Sequence, residues 1–335
     1  MNVLLSNKRV LIGLVFGLVL SGWFWLNDDS ADELREMTSE SIDSEFIKTE
    51  VGYWVDVIDT VGGFEAYKLF GQTFATEDDH YQHTQAHVFG ESLYKAMGVD
   101  GVAVCDSNFG FGCYHSFFGW ALLDNGLGII NRLDEACIEV YGTKGLGCQH
   151  GIGHGVIAEL GYDQLESALE ACATLTWKEP IGGCSSGVYM EYNFFTMGDS
   201  SMRSVEEGGP HYPCSDLLAK FQPGCYFEQP AWWMAYTSKD FVYVGERCAE
   251  VADLVNRRAC YRGTGNAAAG SLLYDIPKIQ AACADMNDAE GAMLCTEGAT
   301  WIIAAQPEFK DVWMQLCEPL DGSYRERCIE SRNFI

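Results

Sequence analysis

Leu165-Glu166-Ser167-Ala168-Leu169-Glu170-Ala171-Cys172-Ala173-Thr174-Leu175-Thr176-Trp177-Lys178-Glu179-Pro180-Ile181-Gly182-Gly183-Cys184 is the stretch from which the fold of this chain is read. Its apolar residues fall at Leu165, Ala168, Leu169, Cys172 and Leu175, a helical rather than an alternating spacing. Gly182 and Gly183 then supply a turn, and Cys184 opens a second apolar stretch. The stretch spells one helical hairpin with a cysteine on each arm.

The hairpin recurs. All 14 cysteines lie beyond residue 100 and form successive pairs: Cys105 with Cys113, Cys137 with Cys148, Cys172 with Cys184, Cys214 with Cys225, Cys248 with Cys260, Cys283 with Cys295, and Cys317 with Cys328. The first pair is 8 residues apart and the others 11 or 12, while the second cysteines step by 35, 36, 41, 35, 35 and 33. A period of this size marks a helical-hairpin array, and no run alternates for long enough to argue for strands. The expected fold is all-α: an αα-hairpin solenoid, with curvature that could close it into an α/α toroid. An even cysteine count at regular spacing argues for one local disulfide per repeat, formed in an oxidising compartment. Structural zinc would call for C-x2-C pairing, which does not occur. Tyr53 to Phe70 and His83 to Met97 read as the two helices of a cysteine-free first unit, the second closed by Gly98. The step of 41 marks an insertion, Thr196 to Pro213, whose glycines and prolines predict an exposed loop.

In its period and its stapled hairpins the chain resembles Sel1-like and tetratricopeptide solenoids, especially the exported, disulfide-stapled kind. The resemblance implies an architecture only; the residue consensus of those families is not reproduced, so no site residue follows from it.

Aligned on the second cysteine, the units show a second pattern. Two residues after it stand His115, His150, Ser186, Phe227, Arg262, Glu297 and Glu330; four further on stand Gly119, His154, Met190, Ala231, Asn266 and Trp301. The cysteine-free unit fits the same register with His83 and His87. Positions four apart share one helical face, so His83 with His87 and His150 with His154 are each poised as a two-nitrogen clamp, with His115 on the helix between. Five imidazoles on neighbouring helices suit zinc, copper or iron, with Glu159, Glu191 or Glu297 as further inner-face candidates. Closure of the array would bring Arg262, Asn266 and Glu297 toward the same place. The glycines of Gly151-Ile152-Gly153-His154-Gly155 read chiefly as packing, since each costs a helix about 1 kcal/mol against alanine and close helix approach is the compensating gain.

Other chemistries find less support. Neither histidine pair has the glutamate of a zincin helix, and there is no C-x-x-C-H, G-x-S-x-G or phosphate loop. Aromatic residues around Tyr189 to Phe195 and Tyr226 to Tyr236, with Glu191 and Glu228, offer a carbohydrate-binding or glycoside-cleaving alternative. A rigid scaffold with a protein or peptide on its concave face is the non-catalytic alternative.

Charge and the N-terminus bound the setting. With 21 basic against 48 acidic residues the net charge is −27, which repels phosphate backbones and argues against a nucleic-acid partner. Lys8 and Arg9 precede an uncharged run, Val10 to Leu26, and Asp28 and Asp29 follow it. That order predicts a signal anchor in an inner membrane with the body of the chain in the periplasm or outside the cell; a cleaved signal peptide and a secreted product is the alternative. The expected organisation is an anchor over residues 1–27, an acidic stalk over 28–50, and the repeat domain over 51–335.

Overall fold

The computed structural model describes residues 44–142, 146–177, 181–197, 203–238, 240–304, 309 and 312–331, and the expected anchor lies outside them. Among the described residues there is no strand. Two rows of short helices alternate along the chain. The inner row is α3 (Asp79–Met97), α4 (Gly112–Asn125), α6 (Leu146–Leu160), α8 (Gly183–Met197), α10 (Gln222–Tyr236), α12 (Leu254–Ser271), α14 (Ala289–Ala304) and α15 (Gly322–Glu330). The outer elements include α1 (Ser44–Val61), α2 (Gly63–Phe74), α5 (Ile130–Tyr141), α7 (Leu165–Cys172), α11 (Phe241–Glu250) and α13 (Ile276–Ala284), with α9 (Val205–Gly208) a single turn in the insertion.

Composition explains which helix goes where. Outer helices are amphipathic: α7 buries Leu165, Ala168, Leu169 and Cys172 and turns its glutamates outward. Two of them open on an aspartate cap: Asp240 accepts from the Tyr243 amide at 3.0 Å and Asp275 from that of Lys278 at 3.2 Å. Inner helices are wrapped by neighbours on most sides, and α6 buries an unbroken run from Gly151 to Ile157.

All 14 cysteines pair as the spacing predicts, with Cα–Cα distances of 5.4 to 5.8 Å. Each bridge ties an outer element to the inner helix that follows it. Seven disulfides place the folded part in an oxidising, extracytoplasmic environment. Among the described residues no helix is long and apolar enough to cross a membrane.

Four local expectations need correction. Tyr53 to Phe70 is not one helix, because Gly62 at φ 82° breaks it and the first unit has α1 and α2 before α3. Helix α1 begins at Ser44, inside the segment expected as stalk. The outer arms at Cys105 and Cys317 are 3-10 turns, and the one at Cys214 is an irregular turn shaped by Pro210 and Pro213. The insertion is not simply exposed: Arg203 is 4% exposed and donates to Asn193 Oδ1 and the Tyr212 carbonyl at 2.7 Å each, and to Gln229, pinning the loop to α8 and α10.

Consecutive inner helices pack on one another along the whole row. Among the described residues no extensive packing joins the first helix of the row to the last. The curvature of the row still brings Phe227 of α10 within 6.1 Å of the Trp301 ring on α14, two helices on.

Candidate metal centre

Glycine sets the spacing of the inner row. A Cβ on Gly90 of α3 would lie 2.1 Å from the Cys113 carbonyl oxygen on α4, and one on Gly153 of α6 would lie 2.0 Å from that of Cys184 on α8. One on Gly187 would lie 1.9 Å from the His150 carbonyl oxygen. The helices therefore touch backbone to backbone, close enough for short side chains on adjacent helices to meet. The expected role of these glycines in packing is what the structure shows.

The side chains that meet are the five expected imidazoles. Ring centroids are 4.7 Å apart for His83 and His87, 5.3 Å for His87 and His115, and 5.5 Å for His83 and His115. The chain of contacts continues from His115 to His154 at 4.6 Å and from His154 to His150 at 4.8 Å. His83, His87 and His115 each present a ligand nitrogen, all within 4.8 Å of one another, and so form a group fit to hold a metal ion.

Which nitrogens face inward follows from their partners. His83 Nδ1 lies 2.8 Å from the Phe109 carbonyl oxygen. A carbonyl only accepts, so Nδ1 carries the proton and Nε2 keeps its lone pair. That Nε2 faces His87 Nε2 at 3.0 Å. The second clamp repeats the arrangement: His154 Nδ1 donates to Glu191 Oε2 at 2.8 Å, and its Nε2 faces His150 Nε2 at 2.9 Å. Two nitrogens bound to one ion at 2.0–2.1 Å stand about 2.8–3.4 Å apart for angles between octahedral and tetrahedral. Both clamps have that span.

Burial disfavours the charged form of His87, His115 and His150. Burial, reinforced by His83 and His154, lowers the pKa of His87 to about 4. Burial and the other four rings hold His115 well below the usual imidazole range, and burial with His154 does the same to His150. Burial would raise Glu191, but the hydrogen bond and charge of His154 and the Tyr162 hydroxyl, which donates to Oε1 at 2.9 Å, hold it below its ordinary value. A carboxylate hydrogen-bonded to the far nitrogen of a histidine is the usual outer support of a metal-binding imidazole.

The remaining expected residues separate. Glu191 joins the histidines, as above. Glu159 is exposed and has no polar partner among the described residues, because five residues beyond His154 it has rotated off the shared face. Arg262 donates through Nε to Glu297 Oε2 at 2.9 Å, and Arg327 approaches the same oxygen at 3.7 Å. Asn266 sits half-buried one turn beyond Arg262. No hydrogen bond or ion pair links this group with the imidazoles among the described residues. The carboxylates of the glycosidase alternative are engaged apart, Glu191 with His154 and Tyr162 and Glu228 with Ser186. Tyr189, Tyr192, Tyr226, Phe227, Trp232 and Trp233 are buried core.

Two contributors escaped the sequence reading. Phe109, Gly110 and Phe111 stand at φ 54°, 59° and 64°, a left-handed run that aims the Phe109 carbonyl at His83. The Asn-Phe-Gly-Phe-Gly stretch before Cys113 is the only signal that could have marked it. Tyr162, stacked on Phe195 at 3.6 Å, is brought to Glu191 by the turn after α6 and has no signal in the repeat register. No protein-family model, curated protein or solved structure matches the chain.

Proposed function

We propose that this chain is an extracytoplasmic helical-repeat protein that binds a transition-metal ion through His83, His87 and His115. The observation that carries the reading is the convergence of three ligand nitrogens within 4.8 Å on two helices, with His83 oriented by the Phe109 carbonyl so that its lone pair points inward. Desolvating imidazoles that face one another nitrogen to nitrogen costs free energy, which a bound cation would return. The donor set is neutral nitrogen with every cysteine held in a disulfide, which suits zinc, copper or iron and not calcium or magnesium. Three protein nitrogens leave a coordination position for water or substrate, so hydrolytic and oxidative reactions are the classes to assay. Lys8, Arg9 and the apolar run to Leu26 support attachment to an inner membrane with the repeats on the oxidising side.

The test is metal content and titration of the full chain produced in an oxidising compartment. Zinc or copper retained through dialysis, and reduced in His83→Ala/His87→Ala with the disulfides intact, is the expected result. Metal content that is negligible, or the same in that variant, would overturn the reading.

A further inference from the structure

The second clamp, His150 with His154, is not needed to complete the first group, and its placement is informative. Ligands of a single ion at 2.0–2.1 Å are never more than about 4.2 Å apart, even when opposite one another. His83, His87 and His115 satisfy a 4.8 Å limit together, while among the described residues no such group of three includes His150 or His154. The five imidazoles therefore do not fit one coordination sphere. Yet His150 and His154 form a clamp of their own, with Nε2 atoms 2.9 Å apart and His154 held at Nδ1 by Glu191. His115 lies between, its ring 5.3 Å from His87 and 4.6 Å from His154.

We infer that the inner row carries two adjacent metal positions, a tighter one at His83, His87 and His115 and a second at His150 and His154. The inference rests on the reading of the row as a metal centre. It assigns Glu191 and Tyr162 to the second position: Glu191 fixes the His154 tautomer, and the Tyr162 hydroxyl holds the second carboxylate oxygen at 2.9 Å. Only two protein ligands serve this position, so more of its coordination is left for exogenous oxygen ligands. Two neighbouring ions with open positions suit a substrate that presents an oxyanion to both, such as a phosphoester or carboxylate, clamped between them.

The experiment is zinc stoichiometry by equilibrium dialysis on the full chain and three variants, with copper(II) paramagnetic resonance as a second readout. Expected are two equivalents for the wild-type chain, one for His150→Ala/His154→Ala and one for His83→Ala/His87→Ala. Glu191→Gln, which leaves all five ligands in place, is expected to weaken one equivalent about 10–100-fold and spare the other. With copper(II), the wild-type chain is expected to show a coupled or diminished signal and each double variant an isolated-copper spectrum. A single equivalent in the wild-type chain that survives His150→Ala/His154→Ala would overturn the second position and leave the first standing. A single equivalent lost with His150 and His154 but not with His83 and His87 would sink the triad instead. Two equivalents with no copper coupling would overturn adjacency.

Discussion

The two halves of the inner row solve the same positional problem in opposite ways. On α12 and α14 the register two residues beyond the second cysteine holds Arg262 and Glu297, which pair with each other at 2.9 Å and leave only a carboxylate oxygen shared with Arg327. On α4 and α6 the same register holds His115 and His150, whose basicity burial lowers and which face other imidazoles. The C-terminal half is electrostatically complete within the chain. The N-terminal half pairs its imidazoles only with one another, nitrogen to nitrogen. One scaffold position can thus serve stability or ligand binding depending on whether its partner is supplied from the next repeat.

The largest effect should come from removing two triad ligands. His83→Ala/His87→Ala is expected to weaken metal binding by well over the ~100-fold that losing an outer partner costs, while Arg262→Ala leaves affinity unchanged by calorimetric titration. If Arg262→Ala also released metal, the two halves would not be independent. Next in size, Arg262→Ala should cost about 3 kcal/mol in urea unfolding, because Glu297, 3% exposed, loses its nearest cation. A paired Arg262→Met/Glu297→Leu change should recover most of that loss, which marks the pair as a structural device.

Disulfides sharpen the comparison because they are alike in both halves. Opening Cys137–Cys148 or Cys283–Cys295, separated by 11 and 12 residues, should each cost roughly 3 kcal/mol in the loop-entropy account. Only the first should also loosen metal binding, since Cys148 sits two residues before His150 at the start of α6. Equal effects on metal from both would show that affinity follows global stability and not local geometry.

A smaller effect is expected from pH. In metal-free protein His87 has a folded pKa of about 4 against an ordinary 6.5. The unfolded chain then binds more protons between those values, so stability is full above about pH 6.5 and falls as pH drops toward about 4. Glu228 acts with the opposite sign: burial raises it from 4.5 to about 7, so its contribution is present at low pH and is lost as pH rises through that window. Urea midpoints at two pH values are therefore best compared in a Glu228→Gln background, where stability should rise with pH between 4 and 6.5. A flat or falling profile there would contradict the neutral, desolvated imidazole row.

Most of the fold was legible because it is periodic. Cysteine spacing alone named every disulfide, and the register counted from the second cysteine put His115 on the helix between the two histidine clamps and Arg262 in one column with Glu297. What stayed hidden depends on turns and on curvature. Gly62 divides a stretch that reads as one helix, Arg203 buries itself in a loop that reads as exposed, and the left-handed Phe109-Gly110-Phe111 run makes a carbonyl into a ligand-orienting group. The expected meeting of Glu297 with the histidines needed a closed ring, and the spacing of hairpins in a sequence does not specify how sharply they curve. Glu159 shows a simpler limit, because proximity in sequence to His154 does not put it on the same helical face.

X-ray absorption on the metal-loaded full chain tests the central claim most directly. With one equivalent of metal per chain, the account predicts a first shell of nitrogen or oxygen at about 2.0–2.1 Å, together with the outer-shell scattering of about three imidazoles, and a drop in that imidazole scattering in His83→Ala/His87→Ala. A first shell without imidazole scattering, or a spectrum that the double variant leaves unchanged, would contradict it.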